Sequence, residues 1–341
     1  MKILVTGTEG YLGCLLAPLL VEDGHDVTGL DTGYYKHGWL YNGVTSTVAT
    51  IAKDIRDVQV EDLRGFDAVV HMAELSNDPL GDLLGEVTYD VNHKGSVRLA
   101  TVAKEAGVGR FVYMSSCSVY GVAEGTVDET SPVNPQTAYA ICKARVERDV
   151  APLADETFAP TFLRNATAFG ASPRMRFDIV LNNLAGLAWT TGKIAMNSDG
   201  TPWRPLVHGL DIAQAIRRVL TAPVEAVRGE VLNVGSEEQN YQVRDIAEKV
   251  AAAFPGCELS FGPPSADNRS YKVNFDKIKK VLPDFECQWD AARGAQQLHD
   301  VFEAIQLDEA TFNGRGHTRL KQLEHLLSTG QIDAELFWTS K

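Results

Sequence analysis

The chain opens with ILVTGTEGYLG over residues 3–13, an apolar run closed by glycines at 7, 10 and 13, and continues into CLLAPLLVEDG with its apolar residues at helical spacing. That order predicts a strand, a glycine turn and a helix. Gly7 permits the tight turn, Gly10 lets backbone amides approach a pyrophosphate, and Gly13 lets the helix pack closely; Tyr11 and Leu12 lie in the same cradle. The helix N-terminus favours the negative phosphates. A second strand, HDVTGLD, ends in Asp31, whose carboxylate can accept both hydroxyls of an adenosine ribose and repel a 2′-phosphate. The expected cofactor is NAD rather than NADP.

Strand-like runs then alternate with helical segments: STVATIAKDI, FDAVVHMA, GRFVYMSS and APTFLRN, with NHKGSVRLATVAKEAG and TAYAICKARVERDVAPLA between them. Repeated alternation with apolar strands predicts an α/β fold, a doubly wound parallel sheet. Ligands of such sheets lie at the carboxyl ends of the strands, which gathers Gly7, Asp31, Asp54, Met72, Ala73, Glu74, Ser116 and Arg164 around one crevice. At 341 residues the chain exceeds the usual size of one core, so a second, smaller unit is expected. Loop-rich stretches such as GASPRMRF, NSDGTPWRP and FGPPSADNRS place it after residue 166. The expected division is a dinucleotide-binding domain over 1–166, with return segments near 206–235, and a substrate domain over 167–205 and 236–341. The latter ends in a helical tail with Leu320, Leu323, Leu326 and Leu327 on one face, read as a cover for core or a subunit contact.

The net charge of −13, from 45 acidic and 32 basic residues, opposes nucleic-acid binding. Five cysteines without a CxxC pair suggest neither a disulfide framework nor a zinc site. No apolar stretch reaches a membrane span, and a glycine turn breaks the N-terminal apolar run, so no cleavable signal and a cytoplasmic setting are expected.

Chemistry enters with YAICK, where Tyr139 and Lys143 are spaced i and i+4 on one helix. The ammonium can then favour the phenolate. A tyrosine that ordinarily titrates near 10 must drop by roughly three units to act near neutrality, which asks its neighbours for about 4 kcal/mol. Lys143 together with an oxidised nicotinamide ring is the expected source.

These motifs, with DIRD at Asp54 and Ile55, HMAE, Asn92 in VNHKGS, SSCSVYG, LRN, RPLVH and NVGS, resemble the extended short-chain dehydrogenase/reductase family, in particular its NAD-dependent nucleotide-sugar epimerases and dehydratases. The resemblance runs from Met1 to about Lys280 and implies a Rossmann domain with a smaller, loop-rich α/β substrate domain. It implies adenine contacts from Asp54 and Ile55, a place for Asn92 at the cofactor site and in support of the lysine-bearing helix, and catalysis by Ser116, Tyr139 and Lys143. Arg204 and Asn183 match positions that hold a nucleotide diphosphate, and Arg269 is a second phosphate candidate. The 4,6-dehydratases of the family carry Asp and Glu directly after the catalytic hydroxyl, whereas this chain has Cys117 and Ser118. The expectation is therefore an NAD-dependent nucleotide-sugar 4-epimerase, with a dehydratase, a net 4-dehydrogenase or a non-enzymatic dinucleotide redox sensor as alternatives. A homodimer is the expected assembly. Asn165, Thr167 and Glu74 depart from the family pattern and bear on the sugar or on packing; Glu74 is expected either on sugar hydroxyls or as a salt-bridged or solvated strand-end residue.

Overall fold

A computed structural model describes residues 1–42, 48–76, 84–264 and 270–339. Its main sheet comprises β1 (Lys2–Thr6), β2 (Asp26–Asp31), β3 (Ala49–Ala52), β4 (Ala68–His71), β5 (Arg110–Ser116), β6 (Ala159–Asn165) and β7 (Val231–Val234). All pairings are parallel, in the order β7-β6-β5-β4-β1-β2-β3. The strand order reverses between β1 and β4, the point at which an open α/β sheet leaves a crevice at its carboxyl edge. Burial explains the apolar runs: Ile3, Leu4 and Val5 on β1 and Ala68, Val69 and Val70 on β4 are solvent-inaccessible because helices cover both faces.

Helices α1 (Gly13–Glu22), α2 (Ser96–Glu105) and α3 (Ala138–Val150) flank the sheet. Thr137 caps α3 by accepting the Ala140 amide at 3.2 Å, and residues 140, 143, 147 and 150 form its buried stripe. Lys143 and Glu147 thus lie on the face turned to the protein. One difference from the sequence expectation precedes α2: residues Tyr89–Gly95 form a π-helical turn, so the NHKGS segment starts with a widened backbone. Such turns relieve the ladder where a side chain must leave it.

The segment 203–208 does not join the main sheet. It pairs with Thr167–Phe169 and Asn240–Gln242 in a three-stranded sheet, while Val231–Val234 does return, beside β6. A second core forms around Phe169, Phe177, Leu206, Ile246 and Phe302. The tail helix, Arg319–Ser328, buries Leu323 and Leu326 against Tyr34, Leu75 and Val87. No described helix is long and apolar enough to cross a membrane.

Candidate active site

The crevice at the carboxyl edge is a cavity of about 660 Å³ that runs from the glycine turn to the three-stranded sheet. Its floor is set by steric limits. Gly7 has φ +77°, and a Cβ there would stand 3.0 Å from the Ala73 amide nitrogen; at Gly13 it would stand 2.2 Å from the Gly7 carbonyl oxygen. Thr6 then ties β1 to β4, its hydroxyl accepting the amides of Met72 and Ala73, both at 3.1 Å. A narrow backbone-lined slot results, of the kind a pyrophosphate fills.

Gly7, Gly10, Tyr11, Leu12 and Gly13 line this slot, and Met72 and Ala73 face them. Tyr11 is also structural, its hydroxyl donating to the Gly170 carbonyl at 2.7 Å. Asp31 lines the cavity at the tip of β2 and accepts the amides of Gly33 (2.8 Å) and Glu9 (3.0 Å). Burial pushes its carboxyl up, and those two amides hold it back in part. Asp54 and Ile55 close the same end; Asp54 takes a two-pronged ion pair from Arg56, at 2.8 and 3.0 Å. Arg56 in turn lies 3.9 Å from the Phe337 ring of the tail.

At the other end stand Ser116, Tyr139, Lys143, Asn165 and Thr167, and further out Arg204, which donates to the Trp203 carbonyl at 2.9 Å. At the end of β5 both serines belong to the cavity lining, but their hydroxyls are engaged differently: that of Ser115 donates to the buried Glu147, and that of Ser116 accepts the Ser118 amide at 3.1 Å. The Lys143 ammonium lies 5.3 Å from the centre of the Tyr139 ring and 4.7 Å from that of Tyr113.

Four expectations meet a different arrangement. Arg164 is not in the crevice; it is buried beneath it, donating to Glu147 at 2.6 Å and to the Tyr120 hydroxyl at 3.0 Å. Asn92 is absent from the cavity wall because its amide is spent on the Leu75 backbone, accepting from the nitrogen at 2.8 Å and donating to the oxygen at 2.9 Å. Asn183 donates to the Phe177 carbonyl at 2.9 Å and likewise does not line the cavity. Glu74 lines it, yet its carboxylate is paired with Lys143 and accepts from the Tyr113 hydroxyl at 2.6 Å, which turns it from sugar hydroxyls toward the lysine. Arg269 lies outside the described residues.

Other cavity residues escaped the sequence reading. Arg176 and Asp178 pair at 2.8 Å on the cavity wall, and Arg176 also donates to the Ser76 hydroxyl at 2.9 Å. The Arg-x-Asp spacing in PRMRFD was the available signal. Arg319 reaches the cavity from the tail, 4.0 Å from the Tyr35 ring, and nothing local in the sequence marks it. Among the described residues no group of His, Cys, Asp and Glu is arranged to hold a metal ion.

Comparison with known proteins agrees with this geometry. The family model described as "NAD dependent epimerase/dehydratase family" matches residues 3–235. The chain belongs to that family. NAD is the cofactor of the family, and the glycine slot and Asp31 are shaped for it. Among its relatives are a UDP-glucose 4-epimerase from Mycolicibacterium smegmatis, 31% identical over 309 residues (83% of this chain and 92% of the relative), and a mouse dTDP-D-glucose 4,6-dehydratase, 28% identical over 247 residues (69% and 68%). The solved structure of MoeE5 in complex with UDP-glucuronic acid and NAD shares the fold with a TM-score of 0.77, covering 89% of this chain and 100% of that one at 24% identity. The family thus includes epimerases and dehydratases of nucleotide sugars.

Asp31→Ala is expected to weaken NAD binding roughly tenfold and to reduce the preference over NADP, because it removes an acceptor and the charge that would repel a 2′-phosphate. Titration calorimetry with both dinucleotides checks this; an unchanged preference would move cofactor selection away from Asp31.

Proposed function

We propose that this chain is a nucleotide-sugar 4-epimerase that works through a 4-keto sugar. One observation carries the reading: the two positions after Ser116 hold no carboxylate. The Cys117 thiol is buried in the main core and donates to the Arg164 carbonyl at 3.1 Å, and burial pushes it up far from neutrality. Ser118 lines the cavity with a hydroxyl, which hardly titrates. Elimination of water across C5 and C6 needs an acid and a base beside those carbons, so oxidation at C4 without elimination fits better. Relatives named UDP-glucose 4-epimerase support the same choice.

Bound in the slot, NAD supplies the hydride acceptor and donor. Tyr139 takes the proton of the C4 hydroxyl, and Ser116 hydrogen-bonds the reacting oxygen. Lys143 retains N–H capacity for a ribose, since an ammonium has three donors and the Met114 carbonyl and Glu74 take two. Arg204, a planar cation, holds the diphosphate at the far end. When the 4-keto sugar has turned over in the cavity, return of the hydride to the opposite face of C4 and of the proton from Tyr139 to the oxygen gives the C4 epimer. A homodimer in the cytoplasm belongs to the same reading.

The test is a screen of UDP-, GDP-, CDP- and dTDP-sugars in deuterated water, read by NMR and mass spectrometry. The expected product is the C4 epimer with neither deuterium at C5 or C6 nor loss of water. A dehydrated, labelled product would replace the epimerase by a dehydratase.

A further inference from the structure

Glu74 is an acid placed where it acts on the base rather than on the sugar. Its side chain is 3% exposed and that of Lys143 is 5% exposed, and the two form an ion pair at the carboxyl end of β4. The pair is held from both sides. Tyr113, on the neighbouring strand β5, donates its hydroxyl to Glu74 at 2.6 Å, and Lys143 donates to the Met114 carbonyl. Lys143 is also the cation beside the Tyr139 ring. A lysine meant only to draw the proton off a phenol would be better left uncompensated, since a buried anion at contact distance cancels most of its field a few ångströms away.

We propose that Glu74 is a positioning residue that offsets the charge of Lys143 and thereby sets, upward, the pH at which Tyr139 gives up its proton. The phenol is then kept protonated until the ligands bind, and the lysine is kept charged and in place to meet them. This rests on Tyr139 as the base.

The remaining groups around the pair do not provide the same offset. On α3, Glu147 is bound to Arg164 of β6 at 2.6 Å, and burial pushes the Cys142 thiol up to about 12, so it stays neutral. On β4, His71 is pulled down to about 3 by burial, and by the Lys143 charge after it, and bridges Ser96 of α2 (2.8 Å) and Thr6 of β1 (2.7 Å) as a neutral ring. Arg176 is compensated by Asp178. Tyr113 is pushed up by burial first and by Glu74 after it, so it remains the donor. For the pair itself, burial pulls Lys143 down but the charges of Glu74 and Tyr139 outweigh that and hold it protonated; burial pushes Glu74 up, against the pull of Lys143. Glu74 is thus the anion left to answer Lys143.

The test needs no sugar. The near-ultraviolet tyrosinate signal of the NAD-loaded protein is titrated, and the Tyr139 contribution is isolated by subtracting the Tyr139→Phe curve, in wild type and in Glu74→Gln. The expected result is a fall in the Tyr139 midpoint by about one to two pH units in Glu74→Gln, from a unit charge removed at short range in a partly buried site. Glu74→Asp should restore most of it. Tyr113→Phe, a milder change that weakens the carboxylate's hold on its charge, should move the midpoint the same way by less, and it carries the test if Glu74→Gln does not fold. A midpoint that stays put or rises in the folded variants overturns the proposal. Wild-type protein without epimerase activity on any sugar, with the midpoint falling as expected in Glu74→Gln, would instead count against the epimerase reading and leave this one standing.

Discussion

Tyr139→Phe should lose between about a hundredfold and ten-thousandfold in turnover while binding NAD as the wild type does, the share that a positioned general base ordinarily contributes. The prediction follows from the local geometry. The ring stands on the first turn of α3, half-buried on the cavity wall, with the Lys143 ammonium 5.3 Å from its centre. Removing one oxygen leaves the ring packing and the Lys143–Glu74 pair in place, so the fold should hold. Turnover of a nucleotide sugar with calorimetric NAD affinity on the same preparation separates the outcomes. A Phe variant with near-normal turnover would transfer the proton abstraction to another group, and the Asp178 carboxylate on the same wall would become the candidate.

The parts of this site that sequence could reveal are those defined within one strand, turn and helix. Gly7 to Gly13, Asp31 at the end of β2, and Tyr139 with Lys143 depend on spacings of a few residues, and periodicity reports such spacings directly. The sheet itself was legible for the same reason, because strands buried on both faces are apolar throughout. What was hidden depends on where a chain turns after its last regular residue, or on contact between distant segments. Cys117 follows β5 in a short 3-10 helix, where two-residue alternation has lapsed, and its thiol goes to the core instead of the cavity. Asn92 rides a π-helical turn that no apolar pattern announces. Glu74 finds Tyr113 only because β4 and β5 are neighbours in register, His71 opposite Tyr113, and Arg319 arrives from a tail docked on Tyr34 and Leu75. Asn182 and Asn183 differ by one step on a helix: the former binds the Gly170 amide at 2.9 Å in the core, the latter a turn carbonyl.

Gly13→Ala should weaken NAD binding by roughly 5- to 150-fold, with a fall in the melting temperature of the cofactor-free protein as a second sign. The added methyl would lie 2.2 Å from the Gly7 carbonyl oxygen and 2.6 Å from both the Cα and the carbonyl oxygen of Thr8. These are backbone atoms of the slot itself, so no side chain can swing aside to relieve the contact. Either α1 moves off the sheet or the turn between Gly7 and Gly13 opens, and overpacking of this sort costs about 1–3 kcal/mol. Both relaxations displace the amides that face the pyrophosphate, so the strain appears in the binding constant and not in stability alone. Gly85→Ala is the matched control, since a methyl there meets nothing within 4 Å. Calorimetry with NAD and thermal melts with and without it give the two readouts. Gly13→Ala with wild-type NAD affinity would mean that the slot tolerates a shifted α1, and that close packing at Gly13 serves the sheet rather than the cofactor.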